Sequence, residues 1–124
     1  MYIGIDFDGT CVTHSYPYIG KDIGAIPVLR KLVEKGHKLI LFTMRSEKTL
    51  ADAVRWFKEN EIPLFGIQTN PTQVSWTKSP KAYCNLYIDD AGLGCPLKWD
   101  KDLSDRGFVD WFSAEQMLVK LGYL

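Results

Sequence analysis

The chain has 124 residues, of which 46% are hydrophobic and 24% charged, enough for one domain with a single packed core. Fifteen basic residues balance fifteen acidic ones, so the positive field typical of nucleic-acid and membrane-surface proteins is absent. No apolar run approaches the roughly 20 residues of a membrane span, and the first residues lack the pattern of a secretory signal, so we expect a cytoplasmic protein with no membrane partner.

Short β-type runs alternate with amphipathic helical runs along the chain. Strands are predicted at residues 2–5, 38–42, 64–68 and 85–88. A first helix precedes Gly36, a second follows the N-cap Ser46 and continues to Asn60, and a third begins at Asp110 or Ser113 and ends at Gly122. Residues 91–107 show no clear hydrophobic periodicity, and the sequence does not assign them a secondary structure.

This alternation predicts the α/β class, with a mainly parallel sheet and helices on its faces. The strand at residues 38–42 is apolar on both faces, as expected of a central parallel strand. In such sheets, ligands bind beyond the carboxyl ends of the strands. Functional residues are therefore expected directly after each predicted strand.

Polar residues follow three of the predicted strands at the point where each ends. Asp6 and Asp8 come after the first strand, Thr43 after the second, and the pair Asp89-Asp90 after the fourth. Four carboxylates at one edge of a sheet repel one another unless a cation binds between them. An oxygen-only ligand set favours Mg²⁺. We therefore predict a magnesium site formed by Asp6, Asp8, Asp89 and Asp90, with Asp89 as a direct ligand and Asp90 binding directly or through water.

The segment Asp6-Phe7-Asp8-Gly9-Thr10 is suited to phosphoryl transfer. A carboxylate beside a magnesium ion can attack phosphorus and form an acyl phosphate that water then hydrolyses. A second carboxylate two residues later is close enough to protonate the leaving oxygen and then activate that water. Gly9 allows a tight turn, and the Thr10 hydroxyl can hold the loop. Alone, this segment is also compatible with an ordinary turn.

Together, these residues resemble the four motifs of the haloacid dehalogenase-like hydrolase superfamily over residues 1 to about 95. The resemblance implies one domain over residues 1–124, folded as a Rossmann-like three-layer α/β/α sandwich. It also implies that Asp6 is the nucleophile and a metal ligand. Asp8 becomes the general acid/base that offers its backbone carbonyl to the metal, and Thr43 becomes a phosphate hydrogen-bond donor.

The family also places a phosphate-binding lysine before the fourth strand, where this chain has Lys78 and Lys81. Related small members carry this lysine eight residues before the first aspartate of the acidic pair, which favours Lys81 as the catalytic lysine. Lys78 is better explained as a solvated loop residue. For Arg45, a surface position at the start of a helix is the alternative to substrate contact. The expected phosphate-binding residues are Phe7, Gly9, Thr10, Met44 and Arg45.

The family usually inserts a cap domain after the first motif or after the third strand. Here only about 15 residues separate Thr10 from the first helix, and about 12 separate the third strand from Lys81, so we predict no cap domain. An open site suits bulky phosphorylated substrates unless oligomerisation or the loops at residues 11–20 and 69–80 cover it. His14 and Tyr16 lie in the first of these loops, after the first motif, and are candidates to line the pocket, with a plain loop residue as the more common explanation of a lone histidine.

The expected function is a magnesium-dependent phosphatase for phosphate monoesters, working through an aspartyl-phosphate on Asp6. A receiver domain is one alternative, although a receiver has its acidic pair after the first strand. A catalytically silent phosphate-binding module and a nucleic-acid end phosphatase are the others, the last disfavoured by the neutral charge. The substrate stays open, as does the choice between a monomer and a homo-oligomer.

Overall fold

A computed structural model describes the chain from residue 1 to residue 124. Its central strands are β1 Tyr2–Ile5, β2 Lys38–Leu41, β3 Gly66–Ile67 and β4 Leu86–Ile88. They form one parallel sheet in the order β3-β2-β1-β4. The carboxyl ends of all four strands therefore meet at one edge, as the sequence predicts.

Three helices cover one face of this sheet. They are α1 Ala25–Glu34, α2 Glu47–Glu59 and α3 Trp111–Lys120. Alternate strand residues, among them Ile3 and Leu39, are fully buried against them in one apolar cluster. Every second side chain of the strands thus packs against the apolar faces of the helices, and together they form a single core. None of the helices has the length and apolar character needed to cross a bilayer.

The opposite face of the sheet is covered by the segment that connects β3 to β4, residues 68–85. Its only regular structure is one 3₁₀ turn, Pro71–Gln73. The segment approaches β1 closely, since a Cβ on Gly4 would lie 2.9 Å from Cys84 Sγ. Buried Ile40 and Ala82 also lie outside the cluster under the helices. The fold is the predicted α/β, Rossmann-like sandwich without a cap domain, and its third layer is this irregular segment.

Several boundaries differ from the sequence predictions. β3 has only two residues instead of five, and the unassigned region contains β5 Leu97–Lys98, which pairs antiparallel with β6 Phe108–Val109. The Asp110 side chain caps α3, because Ser113, the other candidate, donates its N–H and its hydroxyl to that carboxylate. Ser46 occupies the N-cap position of α2 as predicted, and its backbone N–H donates to the Thr49 hydroxyl. Strands of two residues carry too short a pattern to be recognised in a sequence.

Candidate active site

Three carboxylates meet where β1 and β4 end. Asp6 directly follows β1, and Asp89 and Asp90 directly follow β4, which is paired with β1. One carboxylate oxygen of each residue lies within 4.8 Å of the others. No salt bridge in the chain includes Asp6 or Asp89. We call these three residues the acidic trio.

The environment of Asp6 disfavours its ionised form. Desolvation by burial, the negative charge of Asp89 and a hydrogen bond with Asp90 together raise the pKa of Asp6 to about 8. A carboxylate must be ionised to act as a nucleophile or as a metal ligand. A bound cation favours that form. A cation bound at the acidic trio would therefore favour the ionised form of Asp6 near neutral pH.

Thr10 connects the ends of β1 and β4 from a fully buried position. Its hydroxyl oxygen lies 2.9 Å from Asp6 Oδ2 and 3.2 Å from Asp90 Oδ1, and it accepts a 3.0 Å hydrogen bond from the Asp90 N–H. Its own N–H donates to the Phe7 carbonyl. Thr10 thus has no group free for a phosphate, contrary to our expectation, and it orients two carboxylates instead.

Gly9 lets the first loop pass close to β4. Its φ is +80°, and a Cβ at this position would collide with His14 Nε2 and lie 2.7 Å from Asp90 Oδ2. The space is needed because His14 Nε2 lies 2.9 Å from Asp90 Oδ2. The Gly9 N–H donates to the Val12 carbonyl. It is therefore not free to bind a phosphate, although we expected Gly9 to do so from the sequence. Only the position of His14 after the first motif indicated that it belongs to the site.

The Asp8 side chain is not part of the acidic trio. Both of its oxygens accept 2.8 Å hydrogen bonds from Arg45, one from Nε and one from Nη2. Arg45 is 1% exposed, so it is neither the phosphate ligand nor the surface residue considered from the sequence. The backbone N–H and carbonyl of Asp8 have no partner in the chain. That carbonyl is therefore free to bind a metal, as the resemblance implies, whereas the carboxylate is not.

The loop after β2 is held by a glutamine that the sequence analysis missed. The Thr43 N–H donates to Gln68 Oε1 at 2.9 Å, and Gln68 Nε2 donates to the Thr43 carbonyl at 2.6 Å. The hydroxyl hydrogen of Thr43 and the N–H of Met44 have no acceptor in the chain and stay available to a ligand. Gln68 directly follows β3, at the third strand end, where no polar residue was considered.

Lys81 lines the same cleft, of about 280 Å³, as Asp6, Asp89 and Tyr87. The Lys81 ammonium lies 5.6 Å from the centre of the Tyr87 ring and makes no ion pair. Lys78, the other candidate, does not line this cleft. A cation and carboxylates that line one cleft suit an anion that also binds a metal.

The donors at this edge of the sheet fit a hard divalent cation. The acidic trio offers only oxygen atoms, which Mg²⁺ prefers over nitrogen or sulfur. The free backbone carbonyl of Asp8 adds a fourth oxygen. A cation bound there would stabilise the ionised form of Asp6, whose pKa is raised to about 8 by burial and by the charge of Asp89. Bound there, Mg²⁺ would screen the charge between an anionic nucleophile and a phosphate.

Comparison with known proteins yields one informative similarity. No protein-family model and no curated protein matches the chain. A solved structure, that of a conserved protein coded by a locus from Bacteroides thetaiotaomicron, is 30% identical in sequence and superposes with a TM-score of 0.78. The match covers 97% of this chain and 90% of the Bacteroides chain. The chain therefore belongs to the same family as this conserved Bacteroides protein.

Proposed function

We propose that this protein is a magnesium-dependent phosphatase that forms an aspartyl-phosphate on Asp6. The observation that carries the proposal is that Lys81 lines the same cleft as Asp6 and Asp89 of the acidic trio, at the carboxyl edge of a parallel sheet. The free N–H groups of Asp8 and Met44 support it, since a phosphate needs donors of this kind. The resemblance to haloacid dehalogenase-like hydrolases indicates the same chemistry.

In the first step, an Asp6 carboxylate oxygen attacks phosphorus. The bond between phosphorus and the ester oxygen breaks, and that oxygen takes a proton from Asp8 as it leaves. Lys81 and the Thr43 hydroxyl stabilise the phosphoryl oxygens during the transfer. The product is an aspartyl-phosphate on Asp6 and a free alcohol or phenol.

In the second step, water attacks the phosphorus of the aspartyl-phosphate and gives a proton to Asp8. The bond between Asp6 and phosphorus breaks, inorganic phosphate leaves, and both carboxyl groups return to their starting states. Asp6 must therefore be a carboxylate, whereas an amide of the same shape cannot form the intermediate. This requirement gives the first test.

We predict that the protein hydrolyses p-nitrophenyl phosphate with added Mg²⁺ and not after treatment with a chelator. Asp6→Asn is expected to lower kcat at least about 10³-fold, because it removes the nucleophile and keeps the shape of the side chain. The matched control is Asp105→Asn, at an exposed position in the loop between β5 and β6, which should keep wild-type kcat. Initial rates and circular dichroism are measured on the same samples.

Three results would each contradict the proposal. Undiminished turnover by Asp6→Asn would exclude Asp6 as the nucleophile. Durable labelling by radioactive acetyl phosphate without turnover would favour a receiver-like protein. No reaction with any phosphorylated metabolite, nucleotide or oligonucleotide end would favour a silent binding module.

A further inference from the structure

Arg45 uses every N–H donor of its guanidinium group inside the protein. Nε and one Nη2 donor bind the two oxygens of Asp8 at 2.8 Å each. The remaining donors reach the carbonyl oxygens of Tyr18 at 2.6 Å, Thr49 at 3.1 Å and Pro17 at 3.3 Å. An arginine side chain has five N–H donors. No donor is therefore left for a substrate.

Two aromatic rings also contact the guanidinium group. The Phe7 ring centre lies 5.0 Å from Arg45 Cζ, and the Tyr16 ring centre lies 5.3 Å from it. Phe7 is fully buried, whereas Tyr16 is 63% exposed. Cation–π contacts of this kind add to the hydrogen bonds of a desolvated arginine. Arg45 is thus held by two aromatic contacts in addition to its five hydrogen bonds.

These contacts connect the first motif to residues 15–18, which we call the 15–18 loop. Arg45 spans 37 residues to reach Asp8 and 27 to reach Tyr18, so no local turn explains the arrangement. Each carboxyl oxygen of Asp8 accepts one hydrogen bond from Arg45, and neither oxygen has all of its hydrogen-bonding capacity used by this contact. Asp8 is therefore held in one orientation while it can still bind a water molecule or a leaving oxygen.

We propose that Arg45 is a positioning residue that acts through Asp8, holding its carboxylate and the 15–18 loop in the arrangement needed for proton transfer. This inference rests on the proposed function for its effect on turnover. The 15–18 loop then forms a fixed wall beside the site, so Asp8 needs no separate cap domain to be oriented.

The test is a double-mutant cycle with p-nitrophenyl phosphate and saturating Mg²⁺. Arg45→Lys keeps the positive charge but has three donors and no planar fork, so kcat should fall about 10- to 100-fold with KM changed less than about twofold. Arg45→Lys combined with Asp8→Asn should lose no more activity than Asp8→Asn alone, because Arg45 acts through Asp8. Arg55→Lys, on the exposed side of α2, is the control and should resemble the wild type.

Two kinetic results would overturn the inference. If the fall in kcat of the double variant equals the product of the falls in the two single variants, Arg45 acts independently of Asp8. A rise in KM equal to the fall in kcat would indicate substrate contact. If Arg45→Lys does not fold, Tyr16→Ala removes one flanking ring from an exposed position, and a smaller decrease confined to kcat is expected. An unchanged kcat in that variant would then count against the inference.

Limited proteolysis separates this inference from the proposed function. Chymotrypsin can cleave after Tyr18 only if the 15–18 loop leaves Arg45, so Arg45→Lys should be cut there at least about tenfold faster than the wild type and Arg55→Lys. Equal cleavage rates would show that Arg45 does not hold the loop. If the wild type hydrolyses no phosphate ester, the proposed function is wrong, and so is the predicted effect of Arg45 on turnover. The chymotrypsin cleavage rates then decide by themselves whether Arg45 fixes the loop.

Discussion

Two side chains of the first loop contact the Asp90 carboxylate, each at a different oxygen. Thr10 lies against Oδ1 and His14 against Oδ2. Both contacts leave lone pairs on the carboxylate for a metal. Groups that hydrogen-bond to metal ligands fix their orientation and raise metal affinity. His14 therefore belongs to the proposed metal site as a residue that orients Asp90.

We predict that His14→Ala weakens Mg²⁺ binding about tenfold, because Asp90 loses the partner that orients it. His14→Gln should weaken it less, since its amide can still donate to Asp90. Isothermal titration calorimetry with Mg²⁺ measures both affinities without any substrate. The control is His37→Ala, because His37 contacts the Tyr123 carbonyl near the end of the chain. Equal Mg²⁺ affinities for His14→Ala and the wild type would rule out this role for His14.

At the scale of elements, the first motif is held by the end of β6 and the start of α3. The Val109 N–H donates to the Gly9 carbonyl at 2.9 Å, and Trp111 Nε1 donates to the Thr10 carbonyl at 2.7 Å from a buried position. Trp111 is the first residue of α3 and is almost fully buried. Residues distant in sequence thus determine the shape of the loop that carries Asp6.

We predict that Trp111→Phe lowers the free energy of unfolding by about 1–3 kcal/mol, because the buried Thr10 carbonyl loses its partner. Urea denaturation followed by circular dichroism measures this change. Trp99→Phe is the matched control, since Trp99 is 70% exposed and its replacement should change stability by less than about 0.5 kcal/mol. Equal stabilities of the two variants would show that the hydrogen bond to Thr10 contributes little.

At the scale of the whole molecule, the sequence predicted the sheet and the edge at which the candidate site residues lie, because apolar runs end directly at Asp6, Thr43 and Asp89. Parallel strands bring such residues to one edge by geometry alone. The partners of Arg45 were not predictable, since they lie far away in sequence and no periodicity connects them. Gln68 was missed for a related reason, as the two-residue strand before it gives little pattern.

The absence of a cap domain leaves the proposed nucleophile in an open cleft between the sheet edge and two loops. The chain must then orient Asp8 and the acidic trio with its own loops, and it does so through Arg45, Thr10 and His14. Catalysis in such a site depends on fixed contacts more than on closure around the substrate. The central claim is that Asp6 carries the phosphoryl group during turnover.

Trapping of the phosphorylated intermediate tests this claim most directly. Asp8→Asn, which lacks the base for hydrolysis, is mixed with ³²P-labelled acetyl phosphate and Mg²⁺ and then quenched in acid. We predict a hydroxylamine-labile phosphate on the tryptic peptide of residues 1–21, faster loss of this label in the wild type, and no label in Asp6→Asn. A label on Asp6→Asn would contradict the mechanism. Turnover by the wild type would also contradict it if neither the wild type nor Asp8→Asn ever carried a label.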